Sequence, residues 1–313
     1  MFLEILLKIL SIFLLVAIGI FAYRMRAVPH DALKTLNAFV LNVAVPCMIL
    51  QSMQRDETNS QMSGDVIWSF VYYVGVTAII AGLAFLLVRP IKSISEEDKG
   101  LYKFQLTFTN SGFMAYPLIT VIFGKYSLFL AIIMNIGFTL LAYSLGVTQL
   151  IHKKGERIFS MKLFVRMLTV PFISSIIGLI IFLSDFHFPS FIDESLSLMA
   201  ATLSPVAMFV VGVNLAHSKL KDLFTVQNLT LCALSLIAVP ALTLGVGMLL
   251  PVSNMVVITG VFLMAMPSPA LTTILSHRYG LNSKLAAEGV ASTTFLSLGT
   301  LALWAFFLTR FFI

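Results

Sequence analysis

The chain has 313 residues, of which 59% are hydrophobic and 11% are charged, and its mean hydropathy is +0.99. A soluble domain has about 25% charged residues, so this chain has too few charges to cover a surface in water. The composition excludes a water-soluble globular protein and indicates a protein embedded in a lipid bilayer. Whether the formal net charge of +6 signals nucleic acid binding depends on where the basic residues lie.

Ten apolar stretches of helical length follow one another along the chain. Each is close to the about 20 residues that cross the hydrocarbon core of a bilayer. They cover residues 3–23, 36–53, 66–88, 101–123, 127–151, 163–184, 196–217, 229–250, 255–276 and 285–309. We therefore expect an all-α membrane protein with about ten transmembrane spans, numbered one to ten in chain order.

The basic residues are concentrated on one side of the predicted spans. Of the 20 Lys and Arg residues, 16 lie in the loops that follow odd-numbered spans, and the exceptions are Lys8, Arg55, Lys125 and Arg310. Because positive residues accumulate on cytoplasmic loops, both termini of this multi-pass protein are predicted to lie outside the cell membrane. The net charge is thus an orientation signal, and nucleic acid is not an expected partner.

The sequence offers little for a metal, a cofactor or an active site. Cys47 and Cys232 lie within predicted spans and are typical of small buried hydrophobic residues. Motifs of hydrolases, such as Gly-x-Ser-x-Gly and His-Glu-x-x-His, do not occur. We expect no metal, no cofactor and no enzymatic activity.

The two halves of the chain match at an offset of 159 residues, which pairs Pro46 with Pro205 and Asn110 with Pro269. Five spans per half is an odd number, so the second half must enter the membrane from the opposite side. We therefore expect two inverted five-helix repeats. The first repeat, a short cytoplasmic linker and the second repeat are predicted at residues 1–152, 153–162 and 163–313.

Spans four and nine contain helix-breaking residues at matching positions. Asn110, Ser111 and Gly112 lie in the middle of span four, and Pro267 and Pro269 lie in span nine. Proline lacks a backbone donor and disfavours helix in the residue before it, so two nearby prolines should interrupt a helix. A break for packing alone is the simpler alternative.

Interrupted helices in the membrane expose backbone groups that lipid cannot satisfy, so they persist where protein or a water-filled cavity surrounds them. Paired interruptions in the two halves of a chain indicate a transport site. The N-terminal ends of the half-helices would present free N–H groups and partial positive charge to an anion.

These residues resemble the auxin efflux carrier family, whose bacterial members include proteins described as malate or malonate permeases. The resemblance covers essentially the whole chain. The matching motifs are Asn110-x-Gly112-Phe113-x-x-x-Pro117, Ala265-x-Pro267, Leu41-Asn42-x-x-x-Pro46, and Ser204-Pro205 with Gly212. The resemblance implies a scaffold of spans one, two, six and seven, and a transport part in which spans four and nine cross at the site.

The chain also differs from the plant auxin exporters of that family. They carry a proline directly before the span-four asparagine, whereas this chain has Thr109. Many of them have a long hydrophilic loop between spans five and six, which is absent here. Auxin is therefore not the expected substrate.

By resemblance, Asn110 is the first candidate for a substrate contact. Its amide and nearby hydroxyls can hydrogen-bond a ligand, although such groups also bond helices to one another. The candidate substrate-binding residues are Asn110, Ser111, Gly112, Ser268, Thr272 and Asn42. The expected helix breaks lie at Pro117, Pro267, Pro269, Pro46 and Pro205.

Glu288 is the one carboxylate predicted inside a span, about one turn into span ten. It could carry a proton that is coupled to transport, or it could reach the cytoplasmic surface and pair with a Lys or Arg. The scarcity of buried carboxylates argues against cationic cargo, which would require acidic groups at the membrane midplane.

We therefore expect a permease that moves a small organic anion, a mono- or dicarboxylate such as malate or malonate, by alternating access. The alternatives are a sodium-coupled ten-helix symporter of the bile acid transporter type and a channel-like facilitator. The expected partners are the lipid bilayer, the organic anion and, as one option for assembly, a second copy in a homodimer.

Overall fold

A computed structural model describes residues 2–29, 32–54, 63–91, 94–151, 165, 167–217 and 223–312. All regular structure in these residues is helical, which confirms the expected all-α class for this part of the chain. The predicted linker at residues 153–162 lies outside it.

The described residues form twelve helices, which we label α1 to α12 in chain order. Some contain a short π-helical turn or a single turn residue but continue in the same direction. Their bounds are Phe2–Arg24, Ala32–Ser52, Ser63–Val88, Lys99–Thr107, Ala115–Phe123, Lys125–Leu150, Val170–Ser184, Ser190–Ala216, Val226–Leu249, Asn254–Met264, Leu271–Arg278 and Ser283–Phe312.

Six of these helices are long and apolar enough to cross a membrane: α2, α3, α6, α8, α9 and α12. Shorter apolar stretches occur in α1, α7 and α10. Helices α4, α5 and α11 have only 8 or 9 residues each, so each spans less than half of the about 30 Å hydrocarbon core. The count of ten spans in two inverted repeats stays a prediction.

Two prolines in the long helices follow π-helical turns. The turn Val40–Ala44 precedes Pro46 in α2, and the turn Leu234–Ala238 precedes Pro240 in α9. A wider turn accommodates a ring that would otherwise clash with the carbonyl of the preceding turn. Both helices therefore continue past their proline.

The closest helix contact joins α1 to α8 through two glycines. A Cβ atom on Gly19 would overlap the carbonyl of Phe209, and one on Gly212 would overlap the carbonyl of Val16. Glycine lets the two backbones approach so closely, as small residues do at contacts between membrane helices. Helices α1 and α8 thus form a tightly packed pair.

A second contact ties together the ends at which α3, α6 and α10 begin. The Asp65 carboxylate accepts hydrogen bonds from the Tyr126 hydroxyl at 2.8 Å and from the Ser253 hydroxyl at 2.6 Å. Asp65 lies in the first turn of α3, where a negative charge is favoured by the helix dipole. This cluster fixes the start of α10, which leads to the second interruption.

At the opposite end, a separate apolar core joins α4, α6, α11 and α12. The ring of Phe104 of α4 packs at a tilt against the ring of Phe108 with ring centres 4.8 Å apart, and Phe108 packs edge to face against Phe138 of α6. Leu275 and Ala286 bring α11 and α12 into the same cluster. The helices on both sides of the interruptions are therefore held by well-packed elements.

Candidate functional site

The first interruption separates α4 from α5. Helix α4 ends at Thr107, Phe108 has an extended backbone, and α5 begins at Ala115. The residues between them include Asn110, Ser111 and Gly112, whose short polar side chains or lack of a side chain disfavour helix. The predicted break in span four therefore occurs at these residues.

Pro117 was expected to contribute to this break, but it is the third residue of α5. The first turn of a helix tolerates proline because the N–H groups there have no partner within the helix. Pro117 thus helps to start the second half-helix, and the break precedes it.

The second interruption separates α10 from α11. Helix α10 ends at Met264 and α11 begins at Leu271. Pro267 and Pro269 both lie in the non-helical stretch, and both are buried. Two prolines one residue apart remove two backbone donors, which explains why the helix stops here.

The two interruptions lie against each other and are joined by hydrogen bonds. The backbone N–H of Asn110 donates to the Pro267 carbonyl at 2.7 Å. The Thr109 hydroxyl donates to the Leu263 carbonyl at 2.8 Å, and the Ser268 hydroxyl donates to the Gln105 carbonyl at 3.1 Å. The two interruptions therefore meet, and we call this place the crossing.

Two flanking helices hold the breaks in place. The Ser111 hydroxyl donates to the Asn135 side-chain oxygen of α6 at 2.8 Å. The Thr293 hydroxyl oxygen of α12 accepts the Ser268 backbone N–H at 3.1 Å. The Gln105 side chain also donates to the Ala286 carbonyl of α12 at 2.8 Å. Most polar side chains at the crossing are thus used to position the backbone.

Asn110 differs from these neighbours. Its side chain is half-buried, and the side-chain amide group has no hydrogen-bond partner in the described part of the chain. Beside it, the backbone amides of residues 112–115 at the start of α5 also have no acceptor there. Several hydrogen-bond donors without an acceptor in the described residues are therefore close together at the first break.

Thr272 belongs to the corresponding turn of α11. It is fully buried, and its hydroxyl has no partner among the described residues. Helical side chains tilt toward the N-terminus of their helix, so this hydroxyl is directed back toward the second break. Of the two hydroxyls predicted to bind substrate on this side, that of Ser268 is hydrogen-bonded to the Gln105 carbonyl, whereas that of Thr272 has no partner in the described residues.

Of the remaining predicted residues, Gly112 lies in the first break, where a Cβ atom would be 3.8 Å from the Asn135 amide nitrogen. The others lie elsewhere, and Asn42 is in the π-helical turn of α2 with an exposed side chain. Pro46 follows the same π-helical turn, and Pro205 is the third residue of the part of α8 that begins at Leu203. These two prolines accompany local irregularities in helices that continue.

Glu288 lies in the second turn of α12. Its carboxylate forms an ion pair with Lys284 at 3.7 Å, where the lysine side chain is 82% exposed and the glutamate side chain is 22% exposed. Tyr102 of α4 is close enough to Glu288 to interact with it electrostatically, and its buried hydroxyl has no hydrogen-bond partner in the described residues.

Sequence reasoning missed Asn135, Gln105 and Thr293, which fix the two breaks. Each is a polar residue inside an apolar stretch, and this is the signal that could have drawn attention to it. Among the described residues, no group of three or more His, Cys, Asp or Glu side chains could hold a metal ion.

Comparisons with known proteins find relatives that are named as transporters. An uncharacterized transporter of Methanocaldococcus jannaschii is 27% identical over 96% of this chain and 97% of its own length. An uncharacterized transporter of Methanothermobacter thermautotrophicus is 28% identical over 95% of this chain and 96% of its own length. A protein of Rhizobium meliloti, provisionally named a malonate transporter, is 23% identical over 93% of this chain and 92% of its own length.

The family model described as membrane transport protein matches residues 4–305. This confirms the resemblance to the auxin efflux carriers, and it agrees with the apolar helices of a multi-pass membrane protein. The family and these relatives are transporters, not enzymes. The chain belongs to this membrane transport protein family.

Proposed function

We propose that the protein is a secondary transporter that carries a small organic anion across the cell membrane by alternating access. The cargo binds where the two interruptions meet. Asn110 and the amides at the start of α5 hold it, and Thr272 and the start of α11 complete the site. The membership in a transport family and the geometry of the crossing support this proposal.

The observation that carries the proposal is the imbalance between donors and acceptors at the crossing. Carbonyls of Gln105, Leu263 and Pro267 already accept hydrogen bonds from the opposite break. The amides of residues 112–115 and the Asn110 side chain have no acceptor in the described residues. A ligand rich in acceptor oxygens, such as a carboxylate, satisfies these donors.

The proposed topology has ten spans in two inverted five-helix repeats, with both termini outside. Twelve helices become ten spans when α4 with α5, and α10 with α11, each count as one interrupted span. The offset of 159 residues, which relates the two breaks, supports the repeat. The distribution of basic residues supports the orientation.

Malonate or malate is the proposed cargo class. The name of the Rhizobium meliloti relative supports malonate, and both are small anions that offer carboxylate oxygens. A site built from amides and hydroxyls recognises oxygen geometry rather than a large apolar body. Other small mono- and dicarboxylates fit the same chemistry.

The test is uptake of labelled malonate and malate by vesicles that contain the purified full chain. We expect saturable uptake that falls about tenfold to a hundredfold in Asn110→Ala, because the substituted side chain provides no donor. Empty vesicles are the control. Undiminished uptake in Asn110→Ala would remove this residue from the site.

The same vesicles separate the alternatives. Uptake that requires a sodium gradient would favour a symporter of the bile acid transporter type. Flux that rises linearly with concentration and does not saturate would favour a channel-like facilitator. We expect saturation and no sodium requirement.

A further inference from the structure

The crossing contains no cationic side chain in the part of the chain that the structure describes. The basic residues nearest to the breaks on the two interrupted spans are Lys103 and Arg278. Lys103 lies one turn before the first break, but its ammonium group is directed to Phe85 of α3, 4.3 Å from the ring centre. Arg278 is the last residue of α11, eight residues from the break, or about 12 Å along the helix.

Positive charge at the crossing therefore comes only from backbone. The N-terminal ends of α5 and α11 both face it, and each helix end is equivalent to about +0.5 of a unit charge. Together they match about one negative charge. The unpartnered, fully buried Thr272 hydroxyl adds a neutral donor to the α11 end, and Asn110 adds another to the α5 end.

A dianion would bring a second negative charge into this buried place. No lysine or arginine of the described residues would balance it there, and an unbalanced charge in a medium of low dielectric is strongly disfavoured. A carboxyl group that keeps its proton avoids this cost. Its O–H can also donate to a carbonyl at the C-terminal end of α4 or α10, which ends at the same crossing.

We infer that the cargo binds and crosses as a monoanion, either a monocarboxylate or a dicarboxylate that retains one proton. This inference rests on the proposed function, because it specifies the charge state of the anion at that site. It predicts that malonate is carried in its singly protonated form although the doubly charged form predominates at neutral pH.

The experiment is exchange of labelled malonate in vesicles that contain the full chain, with the same pH and the same salt on both sides. Equal conditions remove any pH gradient or membrane potential as a driving force. The matched control cargo is monomethyl malonate, which is a monoanion at every pH used. Empty vesicles measure passive leak of both compounds.

We expect malonate exchange at a fixed, subsaturating total concentration to fall about tenfold for each pH unit above the second pKa of malonate. Exchange of monomethyl malonate should stay constant over the same range. A malonate rate that is flat or rises with pH would overturn the inference while leaving anion transport established.

Two further outcomes also decide the question. If both cargoes slow down equally as the pH rises, a group of the protein titrates, and the charge state of the cargo is not what the site selects. If neither cargo exchanges, the proposed function and this inference both fail. A constant ester rate beside a falling malonate rate is the one pattern that supports a monoanion.

Discussion

The two interruptions face each other, yet they are built differently. The first contains Asn110, Ser111 and Gly112, is partly open, and leaves amide groups without an acceptor in the described residues. The second contains Pro267 and Pro269 and is buried from Met264 to Pro269. The hydroxyl of Ser268 in this break donates a hydrogen bond to the Gln105 carbonyl of α4.

This difference separates binding from support. A proline break removes donors, so it leaves little with which to hold an anion and packs well against neighbours. A break at Asn and Gly keeps its donors and adds an amide side chain. We therefore expect substitutions in the first break to impair transport, and substitutions that disturb the packing of the second break before the start of α11 to impair stability.

The largest effect is expected for Asn110→Ala. A hydrogen bond to a charged group contributes about 1.5–3 kcal/mol, so transport should fall about tenfold to a hundredfold. Stability should hardly change, because this side chain has no partner among the described residues. Uptake and Tm of the purified variant measure the two effects separately.

Asn110→Asp is the matched variant for this comparison. It keeps the shape of the side chain but adds a negative charge, so we expect an even lower rate for an anionic cargo. Wild-type uptake in both variants, with Tm unchanged, would contradict the assignment of binding to the first break.

The next effect concerns stability on the side of the second break. A Cβ on Gly289 of α12 would lie 2.5 Å from the Gln105 side-chain oxygen, whereas a Cβ on Gly112 would lie 3.8 Å from Asn135. Gln105 cannot easily move, because it donates to the Ala286 carbonyl. We expect Gly289→Ala to cost about 1–2 kcal/mol after the gain in helix propensity.

Gly112→Ala is the control for that measurement, since its new methyl group meets only an ordinary van der Waals contact. Thermal unfolding of both variants in the same detergent should show a lower Tm for Gly289→Ala alone. Equal Tm values would mean that the contact between α4 and α12 yields easily and does not brace the second break.

Helical structure stops where the sequence has local signals, at Asn110 to Gly112 and at Pro267 and Pro269. The sequence was not sufficient to assign roles to the residues within these two places. That Ser268 bonds to Gln105, and Thr109 to Leu263, depends on how two spans distant in sequence cross. Asn135 could not be distinguished from a polar residue that joins any two helices, because both patterns place one amide in an apolar stretch.

A smaller effect is expected for Ser268→Ala. The substitution removes one neutral hydrogen bond, to the Gln105 carbonyl, so it should cost about 1 kcal/mol of stability. The backbone N–H of residue 268 keeps its bond to Thr293, so the break should retain its shape. Uptake should decrease less than threefold, with KM nearly unchanged.

The contrast between Ser268→Ala and Asn110→Ala is the sharpest form of the comparison. Both substitutions remove a small polar group from a break. In the wild type, the Ser268 hydroxyl is hydrogen-bonded to a carbonyl, whereas the Asn110 side chain has no partner in the described residues and can bind a ligand. If Ser268→Ala raised KM as much as Asn110→Ala, the Ser268 hydroxyl would also bind cargo directly.

The smallest effect is expected for Glu288→Gln, outside both breaks. The Lys284–Glu288 pair is exposed on the lysine side, and such pairs contribute about 0–1 kcal/mol to stability. The charge state of the cargo, rather than this carboxylate, should set the pH dependence of malonate exchange. Lys284→Gln is the matched control, because it breaks the same ion pair and keeps the carboxylate.

Exchange rates of malonate and monomethyl malonate across pH therefore test Glu288 directly. If Glu288 carried a coupled proton, both cargoes would slow with rising pH in the wild type, and Glu288→Gln would abolish that slope. We expect the ester to show no slope in either protein and malonate to show the same slope in both. Since the crossing contains no carboxylate, histidine or cationic side chain in the described residues, its response to pH should come from the cargo.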